Sequence, residues 1–400
     1  MEAPSDILRE VPGLYGPFKM SERLLQKIWA SGDYRADDLR TEEGQALKIL
    51  TPGKWNQSEE GPDFRAARLE VDGAALVGDV EMHFRSSDWR AHGHHENPAF
   101  KRVVLHVVLF PPTRSERKTP ATLSTGFRPP TLVLLPLLRE SLEEYAEREA
   151  IKALSGAGTR EAFADWLDCP PSLRRSKLLA LARRRWERKL QAARRRLEAP
   201  AATWPEVCHQ VAMEILGYRR NRVPMANLAQ RHPLAEVADE GGDVEALYEE
   251  EAASWKLGAV RPQNHPRARL AQYLRLVEKR PDWPARLAAS EPFPAEKENQ
   301  LRKALKLSEL KRFLAEDVLA SQVGGTRFDT LVADGFLPLL AARSGKDLFS
   351  HWRHWYPGDA PPQLKTFLKE IELIAPDGPE PCSNGLLQGG LQHFIERESP

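Results

Sequence analysis

Two runs of strand-forming residues joined by Asp72-Gly73 constrain the fold of this chain most strongly. Phe64–Val71 and Leu76–Arg85 each have the length of a strand, and Asp-Gly between such runs indicates a turn. The pattern predicts two antiparallel strands of about 7 to 9 residues, which in a sheet lie roughly 4.8 Å apart. We therefore expect Glu81, on the second strand, to return close to Asp63, at the entrance of the first.

Residues on the second strand alternate in polarity. Because successive side chains of a strand point to opposite faces, one face is polar and the other apolar. The polar face carries Asp79, Glu81, His83 and Arg85, and the apolar face carries Val80, Met82 and Phe84. A half-buried strand with chemistry on one side fits this alternation, but a solvated outer face produces it as well, and the alternation alone favours the solvated face.

Composition sets the class of the protein. The chain has 400 residues, 41% of them hydrophobic, which is enough for two or three domains with real cores. A net charge of +1 gives no global argument for binding nucleic acid or a membrane. No window approaches 18 consecutive apolar residues, and the three cysteines lack the spacing of a zinc site or a disulfide framework. We expect a cytoplasmic protein with no membrane partner.

Secondary-structure signals divide the chain into two parts. A helix predicted over Ser21–Ser31 precedes five predicted strands, and from Arg139 onward the periodicity is helical. The strands are predicted at Ala46–Leu50, Phe64–Val71, Leu76–Arg85, Val103–Phe110 and Thr131–Leu135. The later helices are predicted at Leu142–Leu154, Leu173–Leu197, Trp204–Leu216, Arg267–Val277, Ala295–Leu305, Glu309–Leu319 and Phe336–Ala342. The expected class is α+β, with an α/β domain over residues 1–138, built on a mixed sheet of about five strands, and an all-α domain over residues 139–400.

A cluster of histidines follows the polar strand. His92, His94 and His95 form a His-Gly-His-His loop, and His106 lies in the next predicted strand. Imidazole beside carboxylate suits zinc, manganese or iron. The alternatives are phosphate binding or hydrogen bonds within a tight turn, and His106 alone, inside an apolar run, is more often a core residue.

The Pro62-Asp63 pair with Glu81-x-His83 resembles the PD-(D/E)XK restriction-endonuclease-like fold. The resemblance implies that Asp63 and Glu81 bind magnesium. His83 stands where that fold usually has a lysine that positions or activates the attacking water. A histidine can act as a base near neutral pH but lacks a permanent positive charge, so this position departs from the pattern.

A wider set of motifs resembles, in order, a bacterial family called domain of unknown function 2851. In the first half these motifs are Asn56, Gly61-Pro62-Asp63-Phe64, Gly78-Asp79-Val80-Glu81-Met82-His83, Ser87-Asp88-Trp89, His92-Gly93-His94-His95 and Leu105-His106-Val107-Val108. In the second half they are Leu216-Gly217-Tyr218 with Asn221, and Arg261-Pro262 followed by Pro266 and Arg269-Leu270-Ala271-Gln272. The resemblance implies no established activity.

The predicted helix over Ser172–Glu198 is strongly basic. It carries eleven Lys and Arg residues between Arg174 and Arg196, and an apolar stripe occupies one face. Such a helix can follow a phosphate backbone, with Arg183, Arg184, Arg188 and Arg195 as the candidate contacts. The alternative is a solvated helix neutralised by acidic residues of 140–149 or 236–251.

Three functional hypotheses follow. The first is a metal-dependent nuclease or phosphodiesterase with magnesium or manganese on Asp63 and Glu81, with His83 acting on water. Asn56, Asp79, His92, His94, His95 and His106 would shape its pocket. The second is a non-catalytic module that binds nucleic acid or protein on a nuclease-like fold. The third is a histidine and carboxylate metallohydrolase of a small molecule, with zinc or iron as the ion.

Overall fold

The chain contains two compact units. The computed structural model describes residues 9–11, 18–57, 60–156, 163–258, 260–290, 303–374 and 382–397. One unit contains the strand Arg9–Val11 and residues 18–146, and the other contains residues 147–397. The division falls after Ala146, within a helix, whereas the sequence placed a boundary at residue 138.

The first unit is built on a mixed sheet, as the α+β prediction expected. Its described strands are β1 (Arg9–Val11), β2 (Phe18–Met20), β3 (Leu47–Thr51), β4 (Lys54–Trp55), β5 (Phe64–Val71), β6 (Ala74–His83), β7 (Val103–Val108) and β8 (Thr131–Val133). The main sheet has the order β3-β5-β6-β7-β8, with the short β4 also pairing with β5. The pairs β3/β5 and β5/β6 are antiparallel, and β6/β7 and β7/β8 are parallel. All five predicted strands are confirmed, with ends shifted by one or two residues.

The β5–β6 hairpin has the predicted turn. Asp72 and Gly73 both have positive φ, 49° and 80°, which is the conformation that suits a tight two-residue hairpin turn. The Asp72 Oδ1 atom also accepts a hydrogen bond of 2.8 Å from the Ala46 N–H group. The register pairs Val71 with Ala74 and Phe64 with Val80, so the entrance of β5 lies beside the end of β6.

Both faces of the carboxyl-terminal half of β6 are buried. Val80 and Met82 are 0% and 1% exposed, and Asp79, Glu81 and His83 on the other face are 7%, 5% and 1% exposed. The solvated-face interpretation of the alternation is therefore wrong for this strand. The polar side chains are enclosed, so each needs a hydrogen-bond or charge partner to offset the loss of water.

Helices α1 (Glu22–Ser31) and α2 (Asp88–Ala91) belong to the first unit, and α3 (Leu142–Gly156) crosses into the second. Helix α1 buries Leu24, Leu25, Ile28 and Trp29, and its Trp29 ring lies edge-on to Phe64 with ring centroids 6.4 Å apart. This contact places the carboxyl-terminal turn of α1 next to the entrance of β5.

The second unit is helical, as predicted. Its helices are α4 (Ala164–Leu167), α5 (Pro171–Leu197), α6 (Trp204–Leu216), α7 (Tyr218–Arg231), α8 (Leu234–Glu240), α9 (Val244–Glu250), α10 (Pro266–Lys279), α11 (Trp283–Ala288), α12 (Leu307–Phe313), α13 (Gly325–Leu331), α14 (Leu337–Ser344), α15 (Phe349–His354), α16 (Pro362–Glu370) and α17 (Asn384–Arg397). Trp186, Trp283, Phe336 and Trp352 are at the centre of its core. The predicted helix Ala295–Leu305 lies mostly outside the described residues, and its last three residues form a turn.

No helix among the described residues combines the length and the apolar character needed to cross a bilayer.

Gly78 tests the packing of β6 against β7. A Cβ atom at this position would clash with the Arg102 carbonyl oxygen and a Val104 methyl group. We expect Gly78→Ala to destabilise this region by about 1–3 kcal/mol, the usual cost of overpacking. The control is Ala75→Val on the same strand, since Ala75 is exposed. Hydrogen exchange of the peptide that covers β6 measures the effect, and equal protection in both variants would contradict the packing.

Candidate metal centre

The entrance of β5 and the end of β6 bring two carboxylates together. The Asp63 N–H group donates a hydrogen bond of 3.1 Å to Glu81 Oε2, and the Met82 N–H group donates one of 2.9 Å to Asp63 Oδ2. The expected return of Glu81 to Asp63 is therefore confirmed. Each backbone bond fixes one carboxylate relative to the other strand.

Helix α1 supplies two polar residues that the sequence analysis missed. Gln26 donates to Asp63 Oδ1 at 2.6 Å while its Oε1 atom accepts from the Trp55 ring N–H group at 3.1 Å. Glu22, one turn earlier, accepts from the Phe84 N–H group at 3.4 Å. Their spacing in the sequence could have identified them. Polar residues four apart on a helix share a face, and the buried Leu25 lies between these two in the sequence.

Three imidazoles converge beside Glu81. One ligand atom from each of His83, His92 and His94 can be chosen so that all lie within 4.8 Å of one another. His83 Nε2 is 3.1 Å from His92 Nδ1 and 3.5 Å from Glu81 Oε1. His94 Nε2 is 3.1 Å from the same Glu81 oxygen. Glu81 and His83 of the predicted strand thus meet His92 and His94 of the His-Gly-His-His loop in a single site.

The spacing of these four atoms fits a transition-metal ion. Ligand atoms about 2.0–2.1 Å from one ion at the corners of a tetrahedron lie roughly 3.3 Å from each other. Three of the six separations among these atoms are close to that value: His92 Nδ1–His83 Nε2, His83 Nε2–Glu81 Oε1 and Glu81 Oε1–His94 Nε2 are 3.1–3.5 Å. This donor set contains more nitrogen than the predicted Asp63 and Glu81 pair, and only Glu81 is common to both.

His106 orients His83 from the neighbouring strand. Glu81 and His106 are register partners across β6 and β7, and His106 Nε2 lies 2.9 Å from His83 Nδ1. If His83 Nε2 holds an ion, its proton is on Nδ1 and is donated to His106. Partners of this kind fix the tautomer and the ring orientation of a metal-binding histidine. His106 is fully buried, as the apolar run around it in the sequence indicated, and its ring also contacts His83.

Aromatic residues hold the histidine loop in place. The His94 ring stacks on Phe100, with centroids 3.8 Å apart and planes at 25°. Trp89 lies edge-on to His94 and His106 at 5.4 Å and 5.2 Å, and its ring N–H group donates to the Thr122 carbonyl oxygen at 3.1 Å. A small buried cluster around Trp89 and Phe100 therefore sets the position of the imidazoles.

Burial shifts the charge states of the site. It raises the pKa of Glu81 well above its ordinary value; the Asp63 N–H group opposes this shift and Glu22 adds to it. Burial also lowers the pKa of His94 to about 4 and that of His106 to about 3, where the charge of His94 contributes. His94 and His106 are therefore neutral at physiological pH, and the neutral imidazole is the form that binds metals. Among the described residues no Lys or Arg is paired with Glu81, so a bound cation would supply the missing counter-charge.

Two other predicted pocket residues form hydrogen bonds with backbone groups near the site. The Asn56 N–H group donates to the Asp63 carbonyl oxygen at 2.7 Å and its side-chain amide donates to that of Pro62 at 3.1 Å. Asp79 Oδ1 accepts at 3.1 Å from Ala66, whose positive φ of 56° marks a bulge in β5. His95 Nε2 lies 3.4 Å from Glu96. The structure does not bring His95 into the imidazole group.

Helix α5 carries most of its charge in ion pairs within the second unit. At least six of its cations have an acidic partner: Arg174–Glu372, Arg183–Asp347, Arg184–Glu396, Arg185–Glu147, Lys189–Asp334 and Arg196–Glu214. Of these six acidic partners, Glu147 is the one that falls in the segments 140–149 and 236–251 proposed from the sequence. Arg183 and Arg184, two of the four candidate contacts to nucleic acid, are therefore paired, while Arg195 is exposed.

Comparison with known proteins yields one family. Residues 22–248 match the model of a family described as Protein of unknown function (DUF2851), and this region is more than half of the chain. It contains the whole candidate site. No curated protein matches the chain, and no solved structure does so either.

Cobalt binding tests the imidazole group directly, because Co²⁺ in a mixed nitrogen and oxygen site absorbs visible light. We expect one Co²⁺ per chain in the wild type, and His94→Ala to weaken its affinity by at least roughly 10- to 100-fold. His95→Ala is the matched control, since His95 is adjacent in sequence but lies outside the group. Unchanged affinity in His94→Ala, or equal losses in both variants, would remove His94 from the site.

Proposed function

This chain belongs to the DUF2851 family of unknown function, and we propose that it is a divalent-metal-dependent phosphodiester hydrolase. The observation that carries the proposal is the convergence of three imidazoles on the buried Glu81 carboxylate, with neighbouring donor atoms 3.1–3.5 Å apart. A divalent cation held there would act as a Lewis acid and offset negative charge on the reacting oxygens.

The phosphodiester class rests on the resemblance to the PD-(D/E)XK restriction-endonuclease-like fold. In support, Asp63 stands at the entrance of a strand and Glu81 on its antiparallel neighbour, in a mixed sheet preceded by one helix. His83 takes the place of the usual lysine. Since His83 belongs to the imidazole group, the histidine in place of lysine also changes the expected ion. Nitrogen donors favour manganese, iron or zinc over magnesium.

The number of donors bears on which ion supports turnover. Four protein donors complete a tetrahedral zinc site, whereas catalytic sites keep a coordination position open. Manganese and iron accept more than four ligands and would keep such positions with the same four donors. We therefore propose Mn²⁺ or Fe²⁺ as the active ion and Zn²⁺ as a tightly bound but weakly active one.

Asp63 is the proposed proton acceptor. The hydrolysis adds one water across the ester: the water oxygen bonds to phosphorus, the bond to the leaving oxygen breaks, and that oxygen takes a proton. Gln26 and the Met82 N–H group each donate to one oxygen of the Asp63 carboxylate, which fixes its orientation. Each carboxylate oxygen has a second lone pair with which to accept a proton from water.

A small-molecule phosphodiester is the second candidate substrate, and the ion pairs of α5 favour it. They compensate at least six cations of the helix that offered the strongest sequence argument for a nucleic-acid surface. Nucleic acid and a small diester are therefore both tested as substrates in the assay below.

Hydrolysis of bis(p-nitrophenyl) phosphate and of labelled DNA and RNA tests the proposal with Mn²⁺, Fe²⁺, Zn²⁺ or Mg²⁺. We expect Mn²⁺ or Fe²⁺ to support turnover, and Glu81→Gln to abolish it. Asp63→Asn should lower kcat by about 10²- to 10⁴-fold, the usual contribution of an acid–base group, while the bound metal is retained.

His95→Ala is the control for this assay and should keep wild-type turnover. Loss of metal from Asp63→Asn would instead make Asp63 a ligand, as the original carboxylate pair predicts. Stoichiometric metal without hydrolysis of any diester would overturn the proposed activity and support a non-catalytic module.

A further inference from the structure

The helical unit contains a second polar cleft, separate in its residues from the metal centre. It has a volume of about 920 Å³ and is lined mainly by residues of α10, α13 and α16 and by the segments that precede them. Small-molecule sites typically measure about 300–1,000 Å³. The cleft is therefore large enough for a ligand of nucleotide size.

Its lining is strongly cationic. Five basic side chains line the cleft against one carboxylate, that of Asp359, within the part of the chain that the structure describes. The cations are Arg261, Arg269, Arg275, Arg327 and Lys365. Arg269 and Arg327 are only 8% and 5% exposed, whereas Arg261, Arg275 and Lys365 are exposed at the rim.

The two buried guanidinium groups share a single counter-charge. Arg327 lies 2.8 Å from Asp359 Oδ2, and another of its nitrogens donates to the Ile215 carbonyl oxygen at 3.1 Å. Among the residues that the structure describes, Arg269 donates only to neutral amide oxygens, those of Gln272 at 2.6 Å and Asn264 at 2.5 Å. The Nε atoms of both arginines have no hydrogen-bond acceptor among the described residues. A buried cation without a carboxylate partner is costly, and a bound anion would remove that cost.

The surroundings of Arg327 support the same interpretation. Burial lowers its pKa to about 10; the Asp359 carboxylate opposes this shift and the Arg269 cation adds to it. The Arg327 guanidinium lies 4.3 Å from the centroid of the Tyr218 ring. Tyr218 has a positive φ of 59°, a strained conformation for a residue with a side chain and one that is often found at ligand sites.

Two sequence segments that the metal centre does not use meet here. Tyr218 comes from the Leu216-Gly217-Tyr218 motif, and Arg261, Arg269 and Gln272 come from the Arg261–Gln272 motif. They are brought together by the fold, since more than 40 residues separate Tyr218 from Arg261 in the chain.

We propose that this cleft binds a free phosphorylated small molecule with two or more negative charges, with phosphate oxygens on Arg269 and Arg327. The forked donors of arginine match phosphate oxygens, and Arg261, Arg275 and Lys365 supply further cations at the rim. A bounded cleft whose innermost cations are buried favours a compact ligand over a polymer.

Calorimetric titration of the full chain tests the proposal with pyrophosphate, ATP, citrate and a short oligothymidylate as probes. We expect pyrophosphate or ATP to bind more tightly than citrate. Arg275→Gln and Lys365→Gln should each weaken binding about two- to fivefold, as expected for exposed charges, and Arg269→Gln roughly 10- to 100-fold. Arg312→Gln, an exposed cation outside the lining, is the matched control.

The Asp359→Asn variant distinguishes a phosphate-binding role of the cleft from a purely structural role of its charged residues. It removes the one carboxylate of the lining while keeping an oxygen that can accept from Thr326, so phosphate binding should tighten. If Arg269→Gln fails to fold, the Arg275→Gln/Lys365→Gln double variant decides. The proposal is overturned if no phosphate binds, if citrate binds equally well, if Arg312→Gln loses affinity as the lining variants do, or if only the oligonucleotide binds.

Discussion

The buried carboxylate of Glu81 is the constraint on which the candidate centre depends. It lies on a strand whose two faces are both covered, and the imidazoles of His83 and His94 lie beside it among the described residues. Burial keeps His94 neutral and raises the pKa of Glu81, so without a cation the folded unit stabilises the uncharged form of the acid. A divalent ion would reverse that preference, because it supplies a positive charge at the point where the donor atoms are spaced to receive it.

The carboxylate pair could be predicted from the sequence, but most of the histidine geometry could not. The Asp72-Gly73 turn and the period of two in a strand fix the register that places Asp63 beside Glu81. The approach of His106 to His83 depends on the parallel pairing of β6 with β7, which a crossover of some twenty residues determines. His94 is positioned by Phe100 and Trp89, through packing that no local pattern encodes.

Long-range contacts also decide the parts that sequence reasoning left open or missed. Gln26 reaches Asp63 across 37 residues, and only the packing of α1 makes its role visible. The basic helix α5 was ambiguous because its partners, such as Asp334, Asp347 and Glu396, lie far along the chain. These partners show that most of the positive charge of α5 is neutralised by ion pairs within the helical unit. The cationic cleft at Arg269 and Arg327 is not balanced in this way.

X-ray absorption at the zinc edge of the zinc-loaded full chain tests whether His83, His92, His94 and Glu81 together hold a metal ion. It reports the number and type of the donor atoms without requiring a substrate. We expect a four-coordinate ion with three imidazole nitrogens and one carboxylate oxygen at about 2.0–2.2 Å, and loss of one imidazole in His94→Ala but not in His95→Ala. An ion coordinated by oxygen alone, or an unchanged spectrum in His94→Ala, would contradict this metal site.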